Sequence, residues 1–146
     1  MTTYSTIAID KEGAIDWLTL SRPAQLNALD TLMCEELRDY FGENEQVRVV
    51  VLRGAGKHFC AGLDLKDIDG LADPYTGLKV QRAIADIVMR MRRAPQPVIA
   101  LVHGAAAGAG LAFSLGSDVR YAAEGARFNV AMAKIGLTGC DLGISY

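Results

Sequence analysis

The amino-acid sequence predicts an α/β fold, and three observations carry that prediction. Two uncharged runs rich in β-branched residues, VVVL within Arg48–Arg53 and VIALV at 98–102, are short enough for buried strands. Each run leads into a glycine-bearing loop that continues toward a helix. Strand-like and helix-like segments alternate along the chain, the pattern of an α/β architecture. Glycine supports the same picture. Of 15 glycines, ten fall in three clusters, 54–62, 104–116 and 136–143, which marks tight turns or close backbone approach.

The elements follow in order. Ile7–Ile9 and Ile15–Leu20 read as strands, with Asp10-Lys11-Glu12-Gly13 as the turn between them. Ser21-Arg22-Pro23 ends the second strand. Residues 30–41 place Leu32, Met33, Leu37, Tyr40 and Phe41 on one face of a helix that Asp30 or Thr31 can cap. After the first buried run, RGAGKHFCAGLDL is a glycine-rich loop, and 66–74 reads as surface loop. Thr76–Arg93 is a helix with Val80, Ile84, Ile87, Val88 and Met91 on one side. Arg90, Arg92 and Arg93 sit where its dipole favours cations, and Pro95 and Pro97 stop it. The second buried run leads into HGAAAGAG, and Leu111–Leu115 begins another helix. Val119–Ala122 and Arg127–Val130 read as a hairpin across Glu124-Gly125. A third glycine-rich stretch covers Ile135–Tyr146. The two segments VVVL-Arg-Gly-Ala and VIALV-His-Gly-Ala echo each other weakly.

Composition narrows the function. The chain has 146 residues, sized for one domain at 1–146 or a piece of a larger one, with 51% hydrophobic and 22% charged residues and a net charge of −2. Mixed charge without a basic stripe argues against nucleic acid. Three cysteines without CxxC spacing and two histidines give neither a disulfide framework nor a metal site. No secretory leader is visible at the N-terminus, so the expected location is cytoplasmic. Residues 97–116 lack any Asp, Glu, Lys or Arg, but Ala, Gly and His103 suit strand–turn–helix better than a membrane span. Gly108-x-Gly110 lacks the third glycine of a dinucleotide loop and the Gly-Lys-Ser/Thr ending of a P-loop. Two glycine loops that each follow a buried strand can instead turn free backbone N–H groups toward one point, which is how an oxyanion hole is made.

The motifs HFCAGLDLK at 58–66, SRPAQLNAL at 21–29, PVIALVHGAAAGAGLAFSLGSDVRYA at 97–122 and KIGLTGCDLGISY at 134–146 resemble, in order, those of the enoyl-CoA hydratase/isomerase (crotonase) superfamily. The resemblance implies a spiral of repeated ββα units, with the C-terminal helices of the family lying beyond this sequence. It also implies a homotrimer or hexamer. The ligand it implies is an acyl-CoA thioester, with coenzyme A as part of the substrate and no separate cofactor.

By motif position, the donors to the thioester oxygen would be the N–H groups of Leu63 and Ala109, flanked by Gly62, Gly108 and Gly110. Ala24, Gln25, Leu26, Ala61, Gly62, Leu63, Asp64, Leu65, Lys66, Gly108 and Ala109 would line the substrate. Ala24 stands where the family often has a basic residue, so Arg22, Lys57 or Lys66 is expected to meet the phosphates. The resemblance also implies that the two glutamates used by the family's hydratases for acid–base chemistry are replaced here by Ala112 and Met132. Asp141 is then the candidate proton carrier, with a helix N-cap as its alternative role. Asp64, Asp118, His58, His103, Cys60 and Cys140 read as structural. The expected function is enolate stabilisation by an enoyl-CoA hydratase/isomerase-family enzyme; the alternative is an acyl-CoA binder without turnover.

Overall fold

A computed structural model describes residues 3–43, 47–67 and 73–132. Five strands form one sheet in the order β1-β2-β3-β4-β6, and β5 and β7 form a second, two-stranded sheet. The strands are β1 Ile7–Glu12, β2 Ile15–Leu20, β3 Val49–Gly54, β4 Val98–Val102, β5 Ala105–Ala107, β6 Val119–Ala122 and β7 Arg127–Asn129. Among the described residues only the β1–β2 pairing is antiparallel, and the other strand pairings are parallel. Three helices pack with these sheets: α1 Thr31–Glu43, α2 Pro74–Arg93 and α3 Ala109–Gly116.

Burial explains the strand pattern. Central β3 buries Val50, Val51 and Leu52 in succession, so both its faces are covered. β2 and β4 bury alternate residues, Leu18 and Leu20 in one and Val98, Ala100 and Val102 in the other. On α1 the inward stripe is Met33, Leu37 and Tyr40. Leu32, expected on that face, is 44% exposed, because it lies about 100° around the helix from Met33. Phe41 is half-buried at the stripe's edge. Asp30 Oδ1 accepts from Met33 N at 2.8 Å, and Asp67 Oδ2 takes Thr31 N at 2.7 Å. Two carboxylates thus serve the first turn of α1, where the helix dipole favours negative charge.

Several boundaries move. β1 runs on to Glu12, which pairs with Ile15, so the turn shrinks to Gly13-Ala14. α2 starts at Pro74, two residues early, because Asp73 caps it by accepting from Thr76 N at 2.9 Å. Proline is at home in that first turn, where its missing N–H costs nothing. Ile84, Ile87, Val88 and Met91 of α2 are buried as expected. α3 starts at Ala109 rather than Leu111.

The expected hairpin between 119–122 and 127–130 is not formed. β6 pairs in parallel with β4, from Ile99–Val119 to Val102–Ala122, and β7 pairs in parallel with β5, from Ala105–Arg127 to Ala107–Asn129. The segment around Glu124-Gly125 is a corner, not a reversal. Ala123 N donates to Val102 O, and Arg127 N then donates to Gly104 O. The chain is thereby guided around the same bend that β4 makes into β5. HGAAAGAG, read as loop, contributes β5 for this reason.

The sequence echo becomes geometry at the next layer. Phe59 N donates to His103 O, Cys60 N to Ala105 O, and Ala107 N to Cys60 O. Residues 59–60, 105–107 and 127–129 therefore stack side by side, each after a strand of the main sheet. This is a spiral of bent strand pairs, with α2 following the first bend and α3 the second. It matches the α/β class expected from the sequence.

Candidate active site

The site is built where the first two glycine loops meet. Leu29 N donates to Gly62 O and Asp64 N donates to Leu29 O, both at 2.8 Å. These bonds bracket Leu63 in a parallel bridge, so its own N–H faces away from Leu29. On the other loop, Gly108 adopts φ 53°, ψ −118° and precedes Ala109, the first residue of α3. The Ala109 N–H is one of the donors that a helix start leaves without an intrahelical acceptor. Among the described residues, neither the Leu63 N–H nor the Ala109 N–H has an acceptor.

Gly62 shows how closely the loops approach. Its φ is +98°, and a methyl group there would stand 2.9 Å from Ala107 O and 3.5 Å from Ala109 N. A side chain would be strained by the backbone and would strike the neighbouring loop. Cys60 Sγ accepts from Gly62 N at 3.4 Å. Burial pushes the thiols of Cys60 and Cys34 up to about 12, so both are protonated at neutral pH and poor nucleophiles.

The described residues expected to line the substrate lie side by side where these loops meet. Pro23–Gln25 form a short 3₁₀ turn, and Ala24, Gln25 and Leu26 are exposed. Ala61 N donates to Leu26 O, which lays the 61–66 loop alongside. Gly62, Gly108 and Ala109 are buried, Leu63 and Asp64 half-buried, and Leu65 and Lys66 exposed. Ala112 and Met132 are buried among apolar core residues. Asp141 and Cys140 lie outside the described residues, as does the whole third glycine-rich stretch. A cavity of about 340 Å³ opens beside Leu63. Its apolar lining includes Leu29, Val80 and Ala83, and Asp30, Glu35, Arg38, Asp67 and Lys79 add charge.

Of the residues read as structural, the described aspartates and histidines each make hydrogen bonds within the fold. His58 Nδ1 accepts from Ala105 N, and His103 Nε2 is 2.9 Å from Gly56 O. Asp118 takes Val98 N at 2.8 Å and Arg92 at 3.2 Å. Asp64 Oδ1 accepts from Lys66 N. Arg22 turns inward to Asp30 and Asp64 at 3.1 and 3.0 Å. Lys57 and Lys66 remain exposed.

One keystone was not singled out from the sequence. Asn27 is fully buried; its Nδ2 donates to Ala55 O and His58 O at 2.8 Å and to Phe59 O at 3.2 Å, and its Oδ1 accepts from Arg22 N. Leu26 and Asn27 both have φ 55°, a conformation that asparagine tolerates better than most residues. A lone Asn between Leu26 and Ala28 was the available signal. Among the described residues no group of His, Cys, Asp and Glu is suited to hold a metal, and no helix is long and apolar enough to cross a membrane.

Comparison with known proteins agrees with this architecture. The family model for enoyl-CoA hydratase/isomerase matches residues 10–144. The chain is 39% identical over 132 residues to the 1,2-epoxyphenylacetyl-CoA isomerase of Escherichia coli K12, covering 86% of this chain and 50% of that protein. It is 36% identical over 138 residues to the "Probable enoyl-CoA hydratase echA12" of Mycobacterium leprae, covering 88% and 47%. The enoyl-CoA hydratase structure from Mycobacterium smegmatis superposes with a TM-score of 0.91 at 36% identity, covering 97% of this chain and 56% of that one. The chain thus spans about half the length of the relatives it matches. With the stacked strand bends, the ordered motifs and a match over 10–144 in agreement, this chain belongs to the enoyl-CoA hydratase/isomerase family.

Proposed function

We propose that the protein receives an acyl-CoA thioester and stabilises its enolate, with the thioester oxygen between the N–H groups of Leu63 and Ala109. The observation that carries this reading is the close approach of the two loops, where a methyl group on Gly62 would stand 3.5 Å from Ala109 N, together with the lack of an acceptor for the Leu63 and Ala109 N–H groups among the described residues. A single preorganised donor of this kind contributes about 2.7–4 kcal/mol to catalysis. The start of α3 adds the positive end of a helix dipole. The seam of Ala24, Gln25, Leu26, Ala61 and 62–66 would carry the CoA moiety, and the cavity beside Leu63 offers room for an acyl group. No separate cofactor is needed for this chemistry. The working assembly would be a homotrimer or hexamer, in the cytoplasm.

Ala112 and Met132 stand where the resemblance places the hydratase glutamates, and neither can move a proton. Asp141 is therefore the proposed proton carrier, which favours isomerisation or another one-base reaction over hydration. The same two apolar residues support a second reading, an acyl-CoA binder without turnover. Calorimetric titration of acyl-CoA, run beside turnover assays with enoyl-CoA of several chain lengths on the full-length protein, separates the readings. Turnover that is abolished in Asp141→Asn supports the enzyme and its proton carrier. Binding without turnover supports the binder. Failure to bind any CoA thioester excludes both.

A further inference from the structure

We propose that Arg22 is a positioning residue for the oxyanion donor: its guanidinium ties Asp64 to Asp30 and so fixes the direction of the Leu63 N–H. The proposal rests on the acyl-CoA reading above. The Leu63 peptide belongs to a loop held to the 26–30 segment by backbone bonds, Leu29 N to Gly62 O and Asp64 N to Leu29 O. Arg22 grips both sides of that seam. Nη2 lies 3.0 Å from Asp64 Oδ2 and 3.1 Å from Asp30 Oδ2, and Nη1 donates to Ala28 O at 2.5 Å.

The three side chains are only 16%, 14% and 18% exposed for Arg22, Asp64 and Asp30, so solvent screens these pairs weakly. The carboxylates are themselves anchored. Asp64 Oδ1 accepts from Lys66 N, closing the turn after Leu63, and Asp30 Oδ1 accepts from Met33 N at the start of α1. The clamp also has a job to do, because Leu26 and Asn27 beside it are held in left-handed backbone, which L-residues rarely adopt. Arg22 is locked to that strained pair by its own main chain: Arg22 N donates to Asn27 Oδ1, and Asn27 N donates to Arg22 O. A planar fork can hold two carboxylates and a carbonyl at once; an ammonium cannot reproduce that geometry.

The competing assignment for Arg22 is a direct contact to CoA phosphates. The two roles separate in a binding experiment on the full-length protein. Butyryl-CoA isotope-labelled at the thioester carbonyl is bound, and its carbonyl stretch is read by infrared difference spectroscopy; affinity for free CoA is measured alongside. In the unaltered protein the stretch is expected to fall on binding; its failure to do so would reject the acyl-CoA reading itself. In Arg22→Gln and Arg22→Lys the stretch is expected to return toward the free value, with free-CoA affinity within about twofold. Enoyl-CoA turnover, where the unaltered protein supports it, is expected to fall about tenfold or more in kcat, since small misplacement of a preorganised group has effects of this size. Asp64→Asn, which keeps the turn acceptor but loses the ion pair, is expected to reproduce the loss, and the double variant Arg22→Gln/Asp64→Asn to add little to it. A full carbonyl shift in folded Arg22→Lys and Asp64→Asn would overturn the proposal, as would weakened free-CoA binding with the shift intact.

Discussion

Single residues at the loop junction are constrained by burial and backbone conformation rather than by their chemistry. Cys34 and Cys60 are free thiols, buried and raised to about 12, so neither forms thiolate at neutral pH. In a Cys140→Ser background the folded protein is therefore expected to take up no iodoacetamide at pH 8 over hours, and to take up two equivalents once unfolded. Mass spectrometry reads both outcomes, and labelling of the native state would contradict the burial seen here. Gly62 makes a sharper demand. With φ +98° and Ala107 O in the way, Gly62→Ala is expected to cost about 1–3 kcal/mol of stability. It is also expected to weaken acyl-CoA binding by moving the Leu63 peptide. Denaturant unfolding and calorimetry measure the two effects. An alanine variant as stable and as competent as the original would show that the loop is not tightly seated.

Among the elements, the start of β1 and the residues leading into it are tied to α1 chiefly through Glu36. Glu36, buried on α1, accepts from Ser5 N at 2.7 Å, Thr6 N at 2.9 Å, Thr6 Oγ1 at 2.5 Å and Ile7 N at 3.2 Å. Burial alone would raise its pKa, but the bonds from Thr6, Ser5 and Ile7 outweigh it and hold the carboxyl below its ordinary value. A carboxylate with a depressed folded pKa stabilises fully above its unfolded pKa, and that stabilisation is lost as pH falls through the folded value. Glu36→Gln is therefore expected to cost about 1.5–3 kcal/mol at neutral pH, the range for hydrogen bonds to a charged group. Its unfolding curve should also depend less steeply on pH below about 4.3, the usual glutamate value. Denaturant titrations at pH 7 and pH 3.5 test this; equal losses at both would remove the charge from the explanation. Asp86 joins α1 to α2 in a similar way, with Arg38 and Arg90 both at 2.8 Å.

Across the whole molecule, burial is uneven. β3 and β4 lie deep, whereas β6 and β7 are exposed along their length and show Val119, Tyr121 and Phe128 to solvent, with Val130 exposed just after β7. Clustered apolar side chains of this kind favour association. Residues 1–146 expressed alone are expected to self-associate in sedimentation velocity, and Tyr121→Lys with Phe128→Lys to reduce it. A monodisperse monomer in the unsubstituted chain would refute this.

The sequence by itself determined which segments are buried strands, which are helices, and that glycine loops follow the strands, because periodicity and glycine placement record the local environment of each segment. Ordered motifs such as HFCAGLDLK and SRPAQLNAL carried the family. Tertiary structure alone decided that 119–122 and 127–129 stack on separate strands. A Glu-Gly turn specifies a change of direction but not which neighbour's backbone groups await the next strand. The same holds for Arg22, which the sequence offers only as one of three cations that could meet the CoA phosphates. Its role depends on Asp64, 42 residues away, and the pairing of a charge with a distant partner leaves no periodic trace along the chain.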